Sequence, residues 1–276
     1  MIPPIASRFV AGETPAEALE HTQKLNQRNV NVILNLLGEH YHDRKPADED
    51  AEVYVRLLED IERSGLSACV SVKPSQVGLD IGTHVFRENM ERIADAANDT
   101  FVWIDMEDHE TTDATLDVFE QLTREHDGGV GVCIQANLKR TEDDLERLAS
   151  LPGKVRLVKG AYDEPKEIAY KDKAKVDAVY REYLEYMFQE FEGGIAVGSH
   201  DPAMIEYAKE LHEEYGTDFE IQMLMGVRED AQYELAEEYE VWQYVPYGGK
   251  WMSYFYRRVM ERKENLLFAA RAVLGR

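Results

Sequence analysis

Residues 130–159 read VGVCIQANLKRTEDDLERLASLPGKVRLVK. The run 130–134 is short, apolar and rich in β-branched residues, which suits a buried strand and is too brief for a helix. Thr141 to Asp144 then has the hydroxyl-to-acid spacing of a capped helix start, with Leu145 and Leu148 on one side of the helix. A second apolar run follows at 155–158. Strand, helix and strand in one short stretch predict a parallel pair joined through a helix.

The alternation extends in both directions. Comparable runs fall at 30–37, 68–72, 101–105, 194–197, 219–223 and 241–245, so that eight strands are expected in all. Helical spacing fills the gaps. Tyr54, Leu57, Leu58 and Ile61 precede Gly65; Phe86, Met90, Ile93 and Ala97 form a second stripe; Leu116 and Phe119 a third. Val176, Val179, Tyr180, Tyr183, Met187 and Phe191 make the apolar face of a longer helix, and Asp201-Pro202 opens another. Ahead of the first strand, Thr14-Pro15-Ala16-Glu17 combines a cap, a first-turn proline and a capping-box acid. Eight strands alternating with helices over roughly 250 residues fit a closed (βα)8 TIM-type barrel better than an open doubly wound sheet. We expect an α/β barrel, distorted, with an extra N-terminal helix. A single domain over 1–276 is expected, the segment and helix at 1–28 leading into the barrel at 29–276.

In such a barrel, function sits where strands hand over to helices, because those loops converge on the carboxyl-terminal mouth. The handover residues are Glu39, Lys73, Asp105, Gln135, Lys159 with Tyr162, His200, Gln222 with Leu224, and Tyr244. Nearly every strand thus delivers a chargeable or aromatic group. The last handover, YVPYGGKWMSYFYRRVME at 244–261, is the richest. Pro246 and Gly248-Gly249 end the strand, and from Lys250 the spacing turns helical, placing Tyr254, Arg257 or Arg258, and Glu261 on one side. Two guanidinium forks there can flank one small anion, with Glu261 fixing one of them; a solvated helix face is the competing reading.

The chain has 276 residues, 44% of them apolar, enough for a large core. Against 31 Lys and Arg stand 54 Asp and Glu, a net charge of −23, which disfavours nucleic acid and anionic membrane as partners held by general attraction. So many carboxylates repel one another in dilute buffer and are tolerated in concentrated salt, which predicts a salt-loving source. Cys69 and Cys133 fall in strands without metal-type spacing and read as reduced core residues. The amino end lacks a secretory pattern and no strand approaches a membrane span, so a cytoplasmic protein is expected.

The residues also bear on three other chemistries. Asp105, Glu107, Asp108 and His109, with His40 and His42, have the donor types of a metal site, but no spacing supplies a full ligand set, and none is expected. Lys73 and Lys159 lie just beyond apolar strands, as Schiff-base amines of a barrel aldolase would, although either can equally salt-bridge a neighbouring carboxylate. Gly129-Val130-Gly131 lacks a third glycine and precedes a strand, which argues against a Rossmann dinucleotide turn. A non-catalytic barrel that binds an amino acid is a further alternative.

Taken together and in order, seven motifs resemble the proline dehydrogenase family: RFVAGET at 8–14, SVKPSQ at 71–76, IDMED at 104–108, IQANLKR at 134–140, RLVKGAY at 156–162, EIQMLMG at 220–226, and Y-x-x-R-R-x-x-E at 254–261. The resemblance implies a monofunctional, FAD-dependent barrel enzyme that oxidises L-proline to Δ1-pyrroline-5-carboxylate. Arg257 and Arg258, helped by Lys73, would grip the proline carboxylate. Tyr162, Leu224, Tyr244 and Tyr254 would close over the pyrrolidine ring, and Asp105 would orient its cationic or phenolic neighbours. For the flavin, the resemblance implies Arg156 near N5, Gln135 on the polar edge of the ring, and contacts from Val158, Lys159, Gly160 and Ala161. Ser199, His200, Gln222 and Glu261 complete the implied cofactor contacts. Ser199 and Asp201 stand where the family usually has Thr and Asn. A quinone is the implied electron acceptor, with at most peripheral membrane contact.

Overall fold

The computed structural model describes residues 2–3 and 6–256. Eight strands alternate with helices and close on themselves in sequence order. The strands are β1 (Asn31–Leu36), β2 (Ala68–Val72), β3 (Val102–Ile104), β4 (Val130–Gln135), β5 (Lys154–Val158), β6 (Gly194–Gly198), β7 (Phe219–Leu224) and β8 (Val241–Tyr247). All neighbours are parallel, and β8 against β1 completes the ring. The expected TIM-type barrel is the fold observed.

The helices between strands are α2 (Arg44–Ser64), α3 (Thr83–Asp95), α4 (Thr112–Glu125), α5 (Thr141–Leu148), α6 (Lys173–Glu190), α7 (Pro202–Tyr215) and α8 (Glu229–Leu235). The extra helix α1 (Pro15–Asn26) begins with the anticipated capping box. The Thr14 hydroxyl accepts from the Glu17 amide at 3.3 Å, and Glu17 accepts from the Thr14 amide at 3.0 Å. Ala18 and Leu25 then bury α1 against β1 and β8.

Because side chains alternate along a strand, the barrel has two unlike surfaces. Val32, Val70, Val132, Leu157, Val197 and Ile221 point outward into the main core with the helices. Inside, apolar packing shrinks to a separate cluster of Ile33, Cys69, Trp103 and Ala196. Other inward positions are polar, among them Ser71, Gln135, Arg156, Glu220 and Gln222.

The structure departs from the sequence reading in four places. β8 runs through Pro246 to Tyr247, not stopping before the proline. Its pairing with β7 ends at Tyr244, so Pro246 lies where one side has no partner strand and its missing N–H breaks no ladder there. Gln222 in β7 and Tyr244 in β8 sit within strands instead of at their ends. The Thr141 hydroxyl donates to the Gln135 carbonyl at 2.6 Å in place of capping α5. Finally, α8 has no counterpart in the sequence reading. After β8, residues 251–256 are helical, while the expected clamp of Arg257, Arg258 and Glu261 lies outside the described residues.

Candidate active site

A cavity of about 460 Å³ opens at the carboxyl-terminal ends of β3 to β8, within the ~300–1,000 Å³ common for ligand sites. Its polar floor is a linked group. Asp105, one residue past β3, accepts from the Ser71 hydroxyl at 2.6 Å and from the Tyr244 hydroxyl at 2.7 Å, and pairs with the Arg156 guanidinium. Arg156 is 4% exposed and lies over the Trp103 ring, 5.0 Å from its centroid. Its Nη1 donates to Gln222 Oε1 at 3.0 Å. A buried arginine is stable only when its donors are matched, and here a carboxylate, an amide oxygen and an aromatic face meet that need. Burial, together with the Asp105 charge, pushes the Tyr244 phenol well above its ordinary range, so that it stays a neutral donor.

One wall comes from the segment after β5. Val158, Lys159, Gly160, Ala161 and Tyr162 all line the cavity. Gly160 has φ +107, and a Cβ there would lie 2.1 Å from Asn137 Oδ1, so only glycine lets this backbone pack so closely. That Asn137 oxygen is buried without a hydrogen-bond partner among the described residues. Gln135 donates Nε2 to the Glu107 carbonyl at 2.8 Å, which leaves its amide oxygen as the acceptor for the cavity it lines.

The opposite wall holds Ser199, His200 and Leu224. The Leu224 amide donates to His200 Nε2 at 3.3 Å, and the Ser199 hydroxyl accepts from the Asp201 amide at 3.1 Å. Asp201 caps α7 through the Ala203 amide, and its other oxygen pairs with Lys159 at 2.8 Å. Lys159 also pairs with Asp177. An amine between two carboxylates is an ion-pair partner, unlike the desolvated, cation-poor setting of a Schiff-base lysine.

Lys73 and Tyr254 do not line this cavity. They border a second one, of about 750 Å³, with Leu37, Glu39, His40 and residues 249–253. Lys73 Nζ pairs with Glu39 at 2.9 Å, again as a salt bridge. The acids and histidines weighed as metal donors are dispersed: Glu107 accepts from the Ser75 amide and hydroxyl, His109 pairs with Glu164 at 2.6 Å, and His40 pairs with Asp80. Burial raises the Glu107 carboxyl, the Ser75 hydrogen bonds opposing it.

Sequence reasoning missed Met106, Cys133 and Met223 as lining residues. Cys133 shares strand parity with Gln135, a signal that was available. Its thiol, buried beside Arg156, is pushed up by burial, the cation opposing.

Compared with known proteins, residues 18–271 match the family described as proline dehydrogenase. The chain is 38% identical over 282 residues to a proline dehydrogenase of Deinococcus radiodurans, covering 98% of this chain and 90% of that one. It is 35% identical over 276 residues to proline dehydrogenase 1 of Bacillus subtilis, with the same two coverages. Among solved structures it is similar to proline utilization A of Bdellovibrio bacteriovorus inactivated by N-propargylglycine, with a TM-score of 0.84 and 25% identity. That match covers 93% of this chain and 32% of the other.

Proposed function

The chain belongs to the proline dehydrogenase family and oxidises L-proline, the first step of proline catabolism, and we propose that it does so with FAD in the cavity floored by Arg156. The residues there suit a flavin. An arginine cation, an amide acceptor on Gln135 and the close backbone approach at Gly160 match a flat ring with a polar edge and a site of growing negative charge. When bound, FAD supplies a hydride acceptor at N5, and Δ1-pyrroline-5-carboxylate is the product.

The chain's own part is positioning and charge. Arg156, held by Asp105 and Gln222, puts a fixed cation in the floor where negative charge accumulates. Val158, Lys159, Ala161, Ser199, His200 and Gln222 complete the cofactor's surroundings, as does Glu261 from beyond the described residues. Tyr162, Leu224, Tyr244 and Tyr254 enclose the apolar ring of proline. The ammonium of Lys73 has three donors, one of them used by Glu39, and joins Arg257 and Arg258 on the substrate carboxylate. Asp105 holds the Tyr244 hydroxyl and Arg156 in place and is a positioning group.

We read the electron acceptor as a quinone reached by peripheral contact. No helix among the described residues is long and apolar enough to cross a membrane. A cytoplasmic location remains the expectation from the sequence, and a salt-rich source is read from the charge of −23. The observation that carries the flavin reading is the buried Arg156 in the floor of a ring-sized cavity. Purified protein should be yellow and should bleach anaerobically on adding L-proline. Colourless protein that gains no flavin on reconstitution, or yellow protein that proline leaves unchanged, sinks the proposal.

A further inference from the structure

Below the floor, the lumen of the barrel is charged where most cores are apolar. Lys154 and Arg156 on β5, and Glu220 and Gln222 on β7, share the inward parity of their strands. Glu220 is 2% exposed, and an unanswered buried charge is strongly unfavourable, so its partners matter. The Lys154 ammonium donates to Glu220 Oε2 at 2.6 Å, and Gln222 Nε2 donates to Glu220 Oε1 at 2.6 Å. Gln222 Oε1 in turn accepts from Arg156 at 3.0 Å. Four side chains thus form one run from the amino-terminal end of the barrel to the cavity. The fold makes room for it: Gly194 pairs in register with Lys154, and a Cβ at Gly194 would lie 2.9 Å from the Lys154 chain.

The order of donors and acceptors along the run has a single solution. Arginine has only donors, so Gln222 must offer it oxygen. An amide is free to turn either end toward a neighbour. An ionised Glu220 has only acceptors, takes the amide NH₂, and leaves the oxygen for Arg156. Burial raises the Glu220 carboxyl and Lys154 opposes that, so the lysine helps to keep the anion.

We propose that Glu220 is a positioning residue for Arg156: as an anion held by Lys154, it orients the Gln222 amide and thereby sets the guanidinium in the cavity floor. Its catalytic consequence rests on the reading of that cavity as the flavin site. With Glu220→Gln, the Gln222 NH₂ loses its charged acceptor and Arg156 alone is left to orient the amide, so the hydrogen bond to Arg156 is held less firmly.

The test uses the full chain with Glu220→Gln, and Lys154→Met with Glu220→Gln as a double variant in case the unpaired lysine prevents folding. In flavin-free protein, the Arg156 guanidinium resonances in side-chain ¹⁵N spectra should shift. In the flavin-loaded variant, the midpoint potential should fall. The limiting rate of flavin reduction by proline should drop roughly tenfold, the scale of one weakened hydrogen bond to a charged group, while the Kd for proline stays within about twofold. Wild-type Arg156 resonances in a folded variant overturn the positioning, and an unchanged potential and rate overturn its catalytic consequence. The flavin-free spectra decide the positioning by themselves, whereas failure of the functional reading shows in wild-type protein that proline does not bleach.

Discussion

The cavity above Arg156 is walled by the ends of six strands, whereas its neighbour around Lys73 is walled by the segments after β1 and β2 and by residues 249–254 after β8. In the first, Asp105, Arg156, Gln222 and Tyr244 hold one another by buried hydrogen bonds across the barrel. In the second, the polar contacts lie nearer the rim, as with Lys73 and Glu39 or Tyr41 and Lys250. Strand ends cannot shift without disturbing the sheet, while loops and a following helix can. On the proposed reading, the rigid half keeps the cofactor and lends Tyr162, Leu224 and Tyr244 to the substrate, while the adaptable half supplies Lys73 and Tyr254.

The largest test of that division is Arg156→Leu, which strips the buried partner from Asp105. Losing one member of a buried pair typically costs ~3–5 kcal/mol, and flavin content should fall as well. Denaturant midpoints and the absorbance of purified protein check both, and a variant as stable and as yellow as wild type breaks the comparison. Arg257→Met or Arg258→Met should leave the flavin in place and raise the KM for proline strongly, since one arm of a charge clamp is worth ~2–5 kcal/mol. Lys73→Ala should move the same parameter less, by ~1.5–3 kcal/mol, the range for one hydrogen bond to a charged group. Steady-state kinetics on flavin-replete protein separate these outcomes, and unchanged KM values remove the second cavity from substrate binding.

Tyr244→Ser probes the boundary between the halves. It should relax discrimination against hydroxyproline by ~1–3 kcal/mol, seen as a changed ratio of kcat/KM for the two substrates; an unmoved ratio places Tyr244 with the cofactor alone. The smallest effect concerns neither cavity. With a charge of −23, stability should rise as salt goes from 0.1 to 1 M and the Debye length falls from ~10 to ~3 Å. Equal denaturation temperatures at both salts would refute the salt-loving reading.

Much of this was open to sequence reading. Thr14 and Glu17 cap their helix as their spacing predicts, because a capping box is built within four residues. The alternation of short apolar runs with helical stripes implied eight parallel strands, since burial on both faces leaves a mark in each run by itself. The candidates Asp105, Gln135, Lys159, His200 and Leu224 were found by their place after a strand, and they do meet in one cavity. Lys73 has the same placement yet lies next door, because neighbouring strand ends share a mouth without sharing a pocket.

The sequence by itself therefore determined the alternation of strands and helices, α8 apart, the residues at the strand handovers, and through its motifs the family. Only the tertiary structure decided which inward groups touch. Asp105 and Tyr244 are 139 residues apart, and Arg156 and Gln222 are 66 apart. Parity says that such side chains face the lumen, but which of them meet across it depends on strand register and on the closure of β8 against β1. Those are properties of the whole ring, and no local stretch of chain encodes them alone.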